Sequence, residues 1–278
     1  MAWPRATDYS EAVQNLRVSM IDEELREGRL AWNSIGLPML WAGNFADVYK
    51  VHCPATGNTW AIKCFTREVR GLHERYRSIS AHLDQVRLPF TVDFQYLEQG
   101  IRVGGQTFPI LKMRWVEGQT LTQFVEEHLE RPRNLKMLLD LWVRLAARLR
   151  EARMAHADLQ HGNVLLVPVS GNSLALRLID YDGMYVPPLA GIRSGELGHP
   201  AYQHPQRLRE ETYNGEVDRF SHLAIYTSVR CLSAGQSEAL IGRPEITSSI
   251  SPYSTACAAD MKLSRSVSFS TFLAFWPV

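Results

Sequence analysis

Between Leu37 and Trp115 the chain reads as β-type runs broken by turn signals. Beyond Thr120 it reads mostly as helices, and this single change of texture constrains the fold more than any other feature. LPMLWAGNFADVYKVHCPATGNTWAIKCF carries three antiparallel strands, punctuated by Gly43 and by a turn at Ala55 to Asn58. Residues 67–86 predict a polar helix with Leu72, Tyr76, Ile79 and Leu83 on one face, stopped by Pro89. FTVDFQYL and FPILKMRWVEG predict two further strands around a VGG turn. TLTQFVEEHLE begins a helix capped by Thr120, and the longest helical signal follows from Asn134 to Arg153. Its Leu135, Leu138, Leu139, Trp142, Leu145 and Leu149 form one core-facing stripe. The expected class is α+β in two lobes: a five-stranded antiparallel small lobe with one helix, and a mainly helical large lobe. A cleft between such lobes is the default ligand site.

The boundaries follow from texture. Residues 1–36 read as a polar N-terminal extension with two short helical pieces, the first capped by Asp8 or Ser10 and the second ended by Gly28. Residues 37–117 form the small lobe and hinge, and residues 118–243 the large lobe. Residues 244–278 form a Ser-rich tail without clear helical period. The 278-residue chain balances 30 Lys and Arg against 29 Asp and Glu, so no nucleic-acid partner is expected from charge. Cys53, Cys64, Cys231 and Cys257 lack zinc-type spacing and read as reduced thiols. No run reaches membrane-spanning length and no signal peptide opens the chain, so the expected location is cytoplasmic.

Three segments carry polar groups where chemistry could use them. Lys63 lies in the apolar strand Ala61-Ile62-Lys63; it either meets a defined anion or snorkels to solvent. Upstream, Gly43 at a strand turn would let backbone amides approach a phosphate. His156-Ala157-Asp158-Leu159-Gln160-His161-Gly162-Asn163 follows the long helix directly. There Asp158 can orient or deprotonate a hydroxyl, and Asn163 can offer a neutral oxygen to a hard cation; the alternative is an Asx-rich turn. Leu178-Ile179-Asp180-Tyr181-Asp182-Gly183 places a carboxylate at a strand end, where it ligates a cation or simply closes a turn.

The order and spacing of a glycine turn, AxK, HxDxxxxN and a strand-terminal aspartate resemble the protein-kinase signature set. Gly198-His199-Pro200-Ala201-Tyr202-Gln203-His204-Pro205-Gln206 resembles the segment that closes a kinase activation loop. Asp218, twelve residues beyond Gln206, stands where kinases carry a buried helix aspartate. The chain is thus similar, over about residues 37–235, to the protein-kinase-like superfamily, and specifically to bacterial, eukaryotic-like Ser/Thr kinases.

That resemblance implies ATP and Mg2+ as cofactors and phosphoryl transfer to a protein substrate. It implies that Gly43 covers the phosphates, that Val48 and Ala61 pack on adenine, and that Lys63 holds the α- and β-phosphates. Met113 guards the back of the pocket, with Arg114, Trp115, Val116 and Glu117 as hinge. Asp158 becomes the catalytic aspartate, Asn163 and Asp180 the magnesium ligands, and Glu74 the candidate ion-pair partner of Lys63, or else a solvated helix charge. Departures are visible. Trp41 and Ala46 replace two loop glycines, Ala157 an arginine, Gln160 a lysine, Tyr181-Asp182 the usual Phe-Gly, and Gln206 a glutamate. They leave open a small-molecule kinase of aminoglycoside or choline-phosphotransferase type and a nucleotide-binding pseudokinase scaffold.

Overall fold

The computed structural model describes residues 3–43, 45–69, 71–169, 173–194 and 196–234; the Ser-rich tail and Cys257 lie outside them. The chain divides into two compact units: Met1–Gly118 with Arg177–Gly195, and Gln119–Leu176 with Glu196–Val278.

The first unit opens with three short helices, α1 (Ala6–Val13), α2 (Leu16–Ser19) and α3 (Glu23–Arg26). The cap of α1 is Arg5, whose amide donates to Asp8 Oδ2, rather than the expected Asp8 or Ser10. Asp22 caps α3 by accepting from the Leu25 amide. Strands β1 (Arg29–Leu30), β2 (Leu40–Ala42), β3 (Ala46–Cys53) and β4 (Asn58–Phe65) follow, then helix α4 (Leu72–Val86) and strands β5 (Phe94–Val103) and β6 (Gln106–Arg114). All join one antiparallel six-stranded sheet in the order β1-β3-β4-β6-β5, with β2 also on β3. The sixth strand, β1, comes from the segment expected to be a polar extension.

Strand alternation gives this sheet two unlike faces. Tyr49, Val51, Cys53, Trp60, Ile62 and Cys64 point one way and are buried. They pack beneath Tyr9, Val13, Leu16, Met20 and Leu25 of the N-terminal helices, in one hydrophobic cluster. The Tyr9 hydroxyl donates to the Phe65 carbonyl at 2.7 Å, and Met20 bridges Ile101 on β5. On the same face the almost fully buried Lys112 ammonium meets Asp22 at 3.0 Å and Glu24 at 2.8 Å. Such a cation is tolerable inside only because both carboxylates come with it. The extension is therefore the cover of the sheet. Val48, Ala61, Lys63, Leu111 and Met113 alternate to the opposite face.

The second unit contains β7 (Gln119–Thr120), α5 (Leu121–Glu127), α6 (Pro132–Glu151), β8 (Val164–Val169), β9 (Ser173–Leu178), α7 (Pro205–Glu210) and α8 (Arg219–Ala234). The last two residues of β9 already belong to the first unit. Strands β7-β8-β9 form a small sheet. Thr120 caps α5 as expected, within a capping box closed by Gln123. The apolar stripe of α6 is buried from Leu135 to Leu149 and packs on α8, where Trp142 Nε1 donates to the His222 carbonyl at 3.0 Å. No helix among the described residues is long and apolar enough to cross a membrane.

Candidate active site

In the first unit, cross-strand pairing assembles one cluster. Lys63 stands opposite Val48 on β3 and Leu111 on β6, and Ala61 opposite Met113. Gly43 closes the turn between β2 and β3 through its amide, which donates to the Ala46 carbonyl at 2.8 Å. Arg114 ends β6 with a bond to Asn58 and its guanidinium over Trp60; the Trp115 amide donates to Thr59. Trp115 packs against Trp41 at 4.9 Å between ring centroids, and Lys50 lies over the Trp115 ring while pairing with Glu117. Val116 is half-buried beside them.

The Lys63 ammonium is 2.6 Å from Asp180 Oδ1 and 2.6 Å from Asp182 Oδ2. Burial alone would lower its proton affinity, but the two facing carboxylates outweigh this and hold it well above the ordinary lysine range. Glu74 is not its partner. Glu74 lies on the exposed side of α4 and pairs with Arg77, whereas Tyr76, on the buried side, hydrogen-bonds Asp182. The hydroxyl of Tyr181 donates to the Leu178 carbonyl and accepts from the Val92 amide, both at 2.8 Å. A tyrosine in place of phenylalanine thus keeps its polar atom satisfied in the core and ties the Asp180 segment to the approach of β5.

In the second unit, Asp158 is held by three N–H donors. Its Oδ1 accepts the His199 amide at 2.7 Å, and its Oδ2 accepts Gln160 Nε2 at 3.0 Å and Asn163 Nδ2 at 2.9 Å. A carboxylate offers about four lone-pair sites, so one direction remains for a further donor. Because Asn163 spends its amide nitrogen on Asp158, its carbonyl oxygen is the atom left to face elsewhere. Beneath the loop, buried Asp218 accepts the His156 and Ala157 amides at 2.5 and 2.8 Å, just before α8 begins. The carboxylate thus ties the backbone of the 156–163 loop to the start of α8, at the position where the resemblance implied a buried aspartate.

Arg207 was not expected. It is buried against the same loop, donating to the Ala157 carbonyl at 2.7 Å and to Gln203, with the charges of Asp218 and Asp158 nearby. Neighbouring Gln206 stays on the surface with Glu210. The sequence offered only a cation directly after the 198–206 segment, and residue type does not mark an arginine as buried.

Five described non-glycine residues have positive φ. Arg87, Arg153 and Glu211 lie at helix ends, where such a turn is ordinary. Ala157 and Asp180, both at φ +65°, do not. Backbone held this way away from helix ends concentrates at functional sites, and here it falls beside Asp158 and on Asp180.

Each side chain by itself is of a kind that ligates magnesium: Asn163 of the second unit offers a neutral amide oxygen, and Asp180 of the first unit a carboxylate that is 42% exposed. No cluster of three or more His, Cys, Asp or Glu suited to a metal occurs among the described residues.

No protein-family model matches the chain. Two curated relatives align with it, both named Serine/threonine-protein kinase dkf-1, from Caenorhabditis elegans and Caenorhabditis briggsae. Each is 26% identical over 188 residues, covering 66% of this chain and 25% or 24% of the relative. The chain thus spans about a quarter of the length of these relatives. Over the aligned stretch the chain is thus similar to proteins named as serine/threonine kinases, and these are nematode proteins, not bacterial ones.

Proposed function

We propose that this chain is an ATP- and Mg2+-dependent kinase of two-lobe fold that phosphorylates Ser or Thr of a protein substrate. The observation that carries the reading is the 2.6 Å contact of Lys63 with Asp180, residues 117 positions apart that belong to two separate motifs. In this reading Val48, Ala61, Met113 and the 114–116 segment receive the adenine, Gly43 covers the phosphates, and Lys63 holds the α- and β-phosphates. Asn163 and Asp180 would hold magnesium, which supplies charge neutralisation for the polyphosphate. Asp158 receives the acceptor hydroxyl in its remaining lone-pair direction. As the hydroxyl oxygen bonds to the γ-phosphorus, the bond from that phosphorus to the β–γ bridging oxygen breaks. ADP leaves, and the hydroxyl proton passes to Asp158. The closing segment around Tyr202 favours a peptide over a small alcohol as acceptor.

Transfer of labelled γ-phosphate to the chain itself or to a generic basic protein tests this. Label that disappears in both Asp158→Asn and Asp180→Ala supports it, with losses of at least about 100-fold on the scale of a positioned acid–base group. Turnover of an aminoglycoside or choline without protein labelling would move the site to the small-molecule reading. Magnesium–ATP binding with no transfer to either acceptor would leave a pseudokinase.

A further inference from the structure

We infer that Asp182 is the positioning residue for Lys63, and that Tyr76 connects it to helix α4. This rests on the kinase reading of the site and names how that site is held in this chain. The buried face of α4 consists of Leu72, Tyr76, Ile79 and Leu83, with no carboxylate among them. Glu74 is engaged with Arg77 at the surface, so α4 gives Lys63 no counter-charge. Lys63 nevertheless has a side chain only 14% exposed, where an uncompensated ammonium would be strongly unfavourable.

Two carboxylates meet it, and they are not equivalent. Asp180 is the more open, at 42% exposure, and faces the proposed metal; Asp182 is 12% exposed and enclosed. Asp182 Oδ2 takes the ammonium, while Oδ1 takes the phenol of Tyr76. Tyr76 is itself fixed, stacked on Tyr96 at 5.5 Å and edge-on to Phe94, which meets Tyr181 in turn. The charge that holds Lys63 therefore comes from the same segment as Asp180. The helix contributes only a neutral hydroxyl. Lys63 keeps a full partner when Asp180 turns to a metal, and its position follows the 180–183 segment first and α4 second.

The test has two arms. The first is a set of double-mutant cycles in urea unfolding of the nucleotide-free chain, combining Lys63→Met with Asp182→Asn, and Asp182→Asn with Tyr76→Phe. Lys63→Met with Glu74→Gln is the comparison. All changes are near-isosteric. Coupling of at least tenfold in the unfolding constant is expected for the first two pairs and less than twofold for the third. The second arm is steady-state phosphotransfer. Asp182→Asn should lower kcat 10- to 100-fold with a smaller change in KM for ATP, Tyr76→Phe should lower kcat three- to tenfold, and Asp182→Glu should recover part of the loss. Coupling of Lys63 to Glu74 instead of Asp182 overturns the inference, whether or not the chain transfers phosphate. So does an active chain in which Asp182→Asn keeps kcat within twofold. A chain without transfer in any form refutes the kinase reading alone, and the first arm then decides the pairing.

Discussion

At Gly198 the backbone stands at φ +75°, and a Cβ there would lie 2.7 Å from the Ala157 carbonyl and 2.8 Å from Asp158 Oδ1. Only a glycine lets the 198–206 segment come so near the Asp158 carboxylate, and the next amide, that of His199, is one of the three donors that orient it. Gly198→Ala is expected to cost about 1–2 kcal/mol from the left-handed backbone alone. Because the new methyl pushes on Asp158, transfer should fall by at least tenfold more than stability loss explains. Paired chemical unfolding and initial-rate measurements check this; an alanine variant with full kcat would mean that the segment withdraws from Asp158 during turnover. The motif pattern made Asp158, Asn163 and Gly198 legible as residues. The amide of His199 was not, because a main-chain donor leaves no trace in residue type. Gln160 was visible only as a missing lysine, whereas in the fold it is one of the three donors to Asp158.

Helix α4 shows how an element's register decides a partner. Its buried residues recur at helical spacing, and Glu74, two positions before Tyr76, lies roughly 200° around the helix from it. The same periodicity that located the helix thus placed Glu74 on its outer side, and the expectation of a Lys63–Glu74 pair came from the resemblance alone. Helix α3 and its cap present the opposite case: acidic residues in a segment expected to be a polar extension are the half-buried counter-ions of Lys112. Burial would raise the Glu24 carboxyl, but hydrogen bonds from Lys112, Thr56 and Asn58 overcome this and lower it from the ordinary 4.5 to about 2. A carboxylate depressed in the folded state stabilises fully above its unfolded value, and that contribution is lost as pH falls through the folded value. Discounted for screening by solvent, about 1–3 kcal/mol should therefore disappear between roughly pH 4.5 and 2. Glu24→Gln should remove about 1–3 kcal/mol at neutral pH and flatten this part of the acid profile. Urea unfolding of both forms at stepped pH reads it; parallel profiles would mean that Asp22 alone compensates Lys112.

On the scale of the whole molecule, the switch from strands to helices and the motif order made most of the fold readable, including the five strands between Leu40 and Arg114 and the long helix α6. The role of residues 1–36 was hidden for a physical reason. Their helices are only four to eight residues long, too short for an amphipathic period to stand out among charged neighbours. The face they cover was visible only as alternation in β3 and β4, which says that one side is buried but not by what. In the folded chain Val13, Leu16, Met20, Leu25 and Leu30 are each less than 9% exposed. At about 1.5–3 kcal/mol per side chain this burial contributes roughly 8–15 kcal/mol as an upper bound, as large as the whole stability of an ordinary domain, about 5–15 kcal/mol. A chain beginning at Leu37 would also expose Tyr49, Val51, Trp60 and Ile62 together, an apolar patch on the sheet that carries Lys63. Such a truncation is expected to aggregate or to lose the cooperative unfolding transition of its first unit, and residues 1–36 supplied as a separate chain during expression should restore soluble protein. A truncated chain that unfolds cooperatively within about 2 kcal/mol of the full one, on the scale of a single mutation, would show that the sheet stands without its cover and that the three helices are an accessory.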